Sequence, residues 1–478
     1  MATPRELKDI MKVITDDTVN AKQRVTEDQE KYMVYNGAIK DRLKAIIMRE
    51  FQDTKTVTEL TNRLIPLRIL TKMVDKLGKV YKNGAVRKPL LESDPDQELI
   101  DVYSRSFDIN STMAFANKMT KLTKMSLLEP YLDSNGVPRL RVLPSHTFSL
   151  YSNDPINPEK PTAVIKHLYI DKIDLKKSRY IYWDESSHWL CDGEGNILYN
   201  EMGDNQEGIN PYGVLPFVYI TQQKELLYPI RSNDAVAIQY AVCLLLSDST
   251  LAQKYLSWAT LLLTGVDAKT TDITVGAAST LIIPPNENGA AAPDAKYLQP
   301  NLNSDEVIRL VDNLIEKLLT TNNLTGGTIV GKLDSNTSSS GIAKMLDSME
   351  STEDIEEQRH IYAHAEQELW DLFAHRLLPV WVASKEINPE YAGKFSTTFE
   401  LSITFPEIKP MLSKKERIEN AKSEYEAGFT TLKRAIMTIN PDMEESEADQ
   451  LISEIRKERL EGVQYLERNS DGMEDQTS

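Results

Sequence analysis

Two helix-forming stretches separated by an insert and followed by a glycine- and serine-rich segment constrain this chain more than any other feature. The first, from Asp234 to about Leu263, carries the run AVCLLLSDSTLAQKYLSWATLLL. The insert, Thr264 to about Asn303, is rich in turn and strand residues. The second stretch reads SDEVIRLVDNLIEKLLTTNN. The segment Leu324–Gly341, LTGGTIVGKLDSNTSSSG, has almost no apolar content after Val330. A third helix, Ile342 to about Ala383, is long and charged. A helix over 234–263 would rise about 45 Å at ~1.5 Å per residue, and apolar residues on several of its sides call for more than one packing neighbour.

The flanking regions predict an α+β, mainly helical chain. Pro4–Ile14 suits a helix, with Thr3 as cap and Pro4 at its first position. Glu27–Phe51 suits another. Thr56–Lys82 places apolar residues at helical spacing and is bent at Pro66. Ile100–Leu128 predicts two more helical pieces. Alternation then takes over: Pro138–Tyr151, Thr162–Ile170, Ser178–Asp184, His188–Cys191, Ile197–Asn200 and Asn210–Ile220 predict an antiparallel meander, with Gly193–Asn196 as its clearest turn. Phe395–Phe405 is a strand with no neighbour to pair with, so its partner must lie far back in the chain. Pro406 and Pro410 mark a boundary, and Ser413–Ala427, Thr430–Ile439 and Ser446–Leu466 follow as helices.

With 478 residues the chain buries a sizeable core and holds two to four substructures. A net charge of −17 argues against a broad basic face gripping nucleic acid. Twelve acidic and four basic residues from Asp442 onward put −8 of that charge in the C-terminal stretch, which reads as a solvated tail beyond Glu467. Cys191 and Cys243 form no framework or CxxC spacing, which fits a reduced intracellular setting. The opening MATPRELKDIMK is charged, unlike a signal peptide. The most apolar run, Ala235–Leu246, is interrupted by Gln239 and is shorter than the ~20 residues a bilayer needs, so no membrane segment is expected.

No catalytic constellation emerges. His360 and His364 share a helix face, but HIYAH lacks the glutamate of the metalloprotease pattern, so no metal and no cofactor are expected. His146 follows Ser145 in LPSHTF with no identifiable triad partner. Gly326, Gly331 and Lys332 meet the spacing of a phosphate loop, yet Leu333 replaces the hydroxyl residue that holds magnesium, and the segment follows a helix rather than a strand. A nucleotide-binding enzyme using Gly326–Lys332 is therefore the alternative reading. The acidic residues Asp347, Glu350, Glu353, Asp354, Glu356 and Glu357 read as a solvated helix face.

The order of these elements resembles the portal (head–tail connector) proteins of tailed bacteriophages. LPSHTFSLYSND, NPYGVLPFVY, LLLSDSTLAQKYLSWATLLLTG, SSSGIAKM and AKSEYEAGFTTLKRAIMTINPDMEESEADQLISEI carry the resemblance, which covers most of the chain. Portals often show SGxALK where the loop meets the long helix. Ser340, Gly341 and Ala343 fit, whereas Lys344 follows Ala343 directly. The resemblance implies a non-enzymatic subunit of a ring of about twelve around a channel. It implies a wing (1–233), a first stem helix (234–263), a clip (264–303), a second stem helix (304–321), a tunnel loop (322–340), a long wing helix with a returning strand (341–410), a crown (411–466) and a tail (467–478). Double-stranded DNA would pass without sequence-specific binding. The partners implied are the major capsid protein, the terminase large subunit and a head–tail adaptor or tail protein, at a capsid vertex of the virion after assembly in the host cytoplasm. A minor head protein without a channel is the other virion reading.

The residues expected to face the channel are Asn322, Gly326, Gly327, Gly331, Lys332, Asp334, Ser338, Ser339, Ser340, Gly341 and Lys344. The glycines and serines give backbone freedom without apolar surface, and Lys332 and Asp334 cancel in charge. Each cation facing phosphate adds salt-dependent affinity that a ring multiplies, so a channel with few lysines keeps drag small. Lys332 and Lys344 are the expected cationic contacts.

Overall fold

The computed structural model describes residues 4–15, 23–171, 173–202, 205–256, 260–264, 294–298, 304–322, 324, 341–406, 414–440 and 443–457. Contacts divide the chain into two units, 1–332 with 350–406, and 333–349 with 407–478. Helices and antiparallel strands mix, with helix predominating.

In the first unit, α1 (Pro4–Thr15) lies on a four-stranded sheet of β4 (Phe148–Tyr151), β5 (Ala163–Tyr169), β6 (Arg179–Trp183) and β7 (His188–Cys191), ordered as in the sequence. Alternation explains the layering. Ala163 and Ile165 face Leu7 and Met11 of α1, whereas Val164 packs with Phe148, Met125 and Leu127 on the opposite side. Those last two belong to β2 (Met125–Leu132), the centre of a second sheet with β3 (Pro138–Pro144) on one side and β8 (Val218–Thr221) on the other.

Strand β2 corrects the expectation of helix to Leu128. Helix α7 (Ile109–Thr123) stops at Lys124, whose φ of 67° is left-handed without a glycine to announce it. The run that follows is buried along most of its length, so it shows no period of two. The expected helix Thr56–Lys82 is likewise two, α4 (Thr54–Asn62) and α5 (Ile69–Leu77), with residues 63–68 irregular around Pro66.

The lone C-terminal strand finds its distant partner. Strand β11 (Leu401–Thr404) pairs antiparallel with β1 (Val86–Pro89). Beside this pair runs the long helix Gly341–Leu372, continued by a π turn at Phe373–Leu377 and a helix Leu378–Ser384. Pro379 lacks the amide that would continue the regular ladder, and the wider turn just before it keeps the chain helical. Glu366 of this helix is fully buried and receives two bonds from Arg87 of β1, Nε at 2.6 Å and Nη2 at 2.9 Å. Trp370 and Phe373 pack edge-on against Phe395.

In the second unit, Lys414–Glu426, Leu432–Ile439 and 445–457 are helical. Thr431 caps the second of these by accepting from the Arg434 amide. Lys433 bonds Asp449 across the turn at 2.8 Å.

Candidate functional site

Helix α8 spans Asp234–Leu256, not 234–263, and so rises about 35 Å at ~1.5 Å per residue. The β-prone residues that follow form strand β9 (Thr260–Thr264), paired antiparallel with β10 (Asp294–Leu298). Thr260 faces Leu298 at the helix-proximal end of this ribbon. Helix α9 (Ser304–Thr320) begins a few residues later. Both helices therefore leave the same end of the ribbon, and they pack antiparallel against each other. Val242, Leu245 and Leu246 of α8 share a core with Val311, Leu314 and Leu318 of α9 and with Ile69, Met73 and Leu77 of α5.

The polar interruptions of α8 have a structural task. Gln239, Cys243 and Ser247 are four apart and lie on one face. Gln239 Oε1 accepts from the Leu70 amide at 2.7 Å, Cys243 Sγ from Leu67 at 3.3 Å and Ser247 Oγ from Ile65 at 3.0 Å. Ile65 and Leu67 lie in the irregular stretch and Leu70 in the first turn of α5, so none of these amides has a helical partner. The stripe supplies the acceptors and holds the hairpin to the rest of the unit.

Tyr240, Leu244 and Leu251 of α8 pack with Ile39, Leu43 and Ile47, and Val236 packs with Val34 and Met119, so part of the hairpin surface stays open among the described residues. Ala237 and Ala241 of α8 are exposed, as are Ile308 and Leu310 of α9, which are 51% and 47% exposed. Asp234–Gln253 is long and apolar enough to cross a membrane by length and composition, contrary to the expectation from the shorter apolar run, and 28% of its most apolar window is buried. Its companion α9 carries Asp305, Glu306, Arg309, Asp312, Glu316 and Lys317 along the same length.

At the end of α9 the chain is pinned before the glycine-rich segment. Asn322 Nδ2 donates to the Leu318 carbonyl at 2.8 Å, and the amide of the buried Leu324 donates to Leu319 at 2.9 Å. Asn322 thus caps α9. Gly326, Gly327, Gly331, Lys332, Asp334, Ser338, Ser339 and Ser340 lie outside the described residues. Gly341 opens the long helix and Lys344 is in its first turn. The described elements flanking Gly326–Lys332 are both helices, whereas a phosphate loop follows a strand.

The other candidates take up structural places. Ser145 Oγ donates to Asp28 and accepts from Arg24, while the His146 ring packs tilted against Tyr32 with centroids 4.7 Å apart. His364 Nε2 lies 3.1 Å from Glu368 on an exposed face. Among the described residues no three His, Cys, Asp or Glu side chains are grouped to hold a metal. The acidic face of the long helix is not wholly solvated: Asp354 accepts from Lys121 at 2.9 and 3.1 Å. The Arg87–Glu366 pair and the Gln239 stripe were not visible in the sequence, because their partners lie far away along the chain.

No family model matches the chain, and no curated protein matches it. Among solved structures, a chain in the neck of an empty gene transfer agent (GTA) particle computed with C6 symmetry shares 12% identity, with a TM-score of 0.40, over 81% of this chain and 94% of its own. A chain of the virion of a native GTA particle shares 11% over 83% and 98%, also at 0.40. A chain in the neck of a native GTA particle computed with C12 symmetry shares 11% over 78% and 89%, at 0.40.

Proposed function

We propose that the chain is a portal-type subunit: many copies close into a ring at a capsid vertex, and double-stranded DNA is packaged and ejected through the central channel. One observation carries the reading. The α8–α9 hairpin is tied to its unit along the Gln239 stripe, yet leaves Ile308 and Leu310 of α9 exposed. Large apolar side chains left exposed on one helix suit a contact with protein or membrane. The charges along α9 make lipid a poor environment for the pair. A neighbouring copy covers such a face, and a head-to-tail arrangement that closes gives a ring.

In this reading the hairpin is the stem, and the β9–β10 ribbon is the base of the clip that meets the terminase and later the head–tail adaptor. The Gly326–Ser340 segment is the tunnel loop, and 411–466 the crown. The role is structural, not enzymatic. Lys332 and Lys344 contact passing DNA weakly and without sequence preference. A filter-binding titration of the assembled protein tests the last point. Affinity that is low at physiological salt, steepens as salt is removed and drops in Lys332→Gln is expected. Tight, sequence-selective binding would contradict it.

A further inference from the structure

We propose a binding site for a phosphoryl anion in the cavity beneath the root of the α8–α9 hairpin, with Lys31 and Lys124 as its principal cationic ligands. The cavity is about 250 Å³ and lies wholly within the first unit. Its apolar wall includes Met73, Val74 and Leu122, and its polar rim brings together Lys31, Lys121 and Lys124. Lys31 projects from α2 (Arg24–Tyr35) and is 5% exposed. Its ammonium forms a long ion pair with Asp28 Oδ1 at 3.9 Å, and Arg24 and Arg231 approach the same carboxylate at 4.0 and 3.6 Å. One carboxylate shared among three cations compensates Lys31 only in part, and an anion in the cavity supplies the rest.

Lys124 forms no ion pair among the described residues, in contrast to Lys121, which is held by Asp354. Burial lowers the pKa of both Lys31 and Lys124. That is the response of cations short of compensating negative charge. The N-terminus of α8 also opens on the rim, through Ser232 and Asp234 to Val236, and its dipole adds to the positive field. Asp234 is the one carboxylate among the lining residues, Asp354 holds Lys121 and Asp28 approaches Lys31, so Lys124 is the lining cation without an ion pair among the described residues. The donors approach from three elements, α2, the α7–β2 junction and the start of α8. That arrangement suits the tetrahedral oxygens of a phosphoryl group better than the two coplanar oxygens of a carboxylate. The ligand chemistry is shared by free phosphate-type ions and by a nucleic-acid backbone.

This site goes beyond the portal reading and does not need a ring. The test uses the full chain, titrated by calorimetry and thermal shift with inorganic phosphate at constant ionic strength, with sodium acetate as control. Lys31→Met removes the charge at similar volume. Lys124→Asn removes it with a residue that tolerates the left-handed backbone. Saturable phosphate binding that raises Tm in the native protein, and is weakened at least about tenfold by either substitution, is expected. A short duplex that competes for phosphate in the native protein identifies the backbone as source, and failure to compete identifies the free ion. Absence of phosphate binding by the folded native protein, an equal effect of acetate, or binding undiminished in both variants would overturn the proposal. Size-exclusion profiles of the same samples report ring formation separately.

Discussion

His167 shows how much a single residue's surroundings decide. It accepts from Ser149 Oγ on one nitrogen at 3.0 Å and meets the His146 carbonyl at 3.2 Å with the other, while Arg24 Nη2 donates to Ser149 Oγ at 3.0 Å. That arrangement suits a neutral ring, with Nδ1–H donating to the carbonyl and Nε2 accepting from the hydroxyl. Burial, and then the Arg24 charge, depress its pKa to about 3, and burial with Lys166 takes His188 to about 4. Both rings titrate near 6.5 when unfolded. The unfolded chain therefore binds more protons below that value, and stability present above pH 6.5 is lost as pH falls toward the folded values. Urea midpoints should drop between about pH 7 and pH 5, and His167→Asn should remove about 2 kcal/mol of that drop. An unchanged pH slope would show that His167 is already charged in the fold. Glu366 makes the complementary point. Its removal in Glu366→Ala strands the buried Arg87 guanidinium, and a loss of about 3–5 kcal/mol by chemical denaturation is expected. Nothing local in the sequence marked Glu366 apart from the other acids of its helix.

Among the elements, the long helix, the two hairpin helices and most of the meander were legible because their periodicity is local. The misread ones had their geometry set elsewhere. Strand β2 is buried on both faces and so lost its alternation. The break between α4 and α5 depends on α8, whose polar stripe satisfies the amides of Ile65, Leu67 and Leu70. Gln239→Leu should cost about 1–3 kcal/mol through the orphaned Leu70 amide. Hydrogen exchange at Leu70 should accelerate, and unchanged protection there would contradict the role assigned to the stripe. Helix α1 is fitted as closely to its sheet. At Gly195, φ is 79° and an added Cβ would lie 2.8 Å from the Lys8 Cα. Gly195→Val is thus expected to lift α1 from the sheet and expose its N-terminal segment to limited proteolysis, with the native protein resistant under the same conditions.

For the molecule as a whole, the mixed, mainly helical α+β class could be read from the chain. The surface proposed to join copies could not, since Ile308 and Leu310 look like any other apolar helix positions until the structure leaves them exposed. The proposed channel role of the Gly326–Ser340 segment rests on its composition alone. Assembly is the central claim, and the end-on projection of the purified protein by negative-stain electron microscopy tests it most directly, with Leu310→Glu as the matched variant. Closed rings with a stain-filled centre in the native protein, and particles of the single chain's 54.2 kDa in the folded variant, are the predicted result. Native particles that remain single chains, or that assemble without a central hole, would contradict the account.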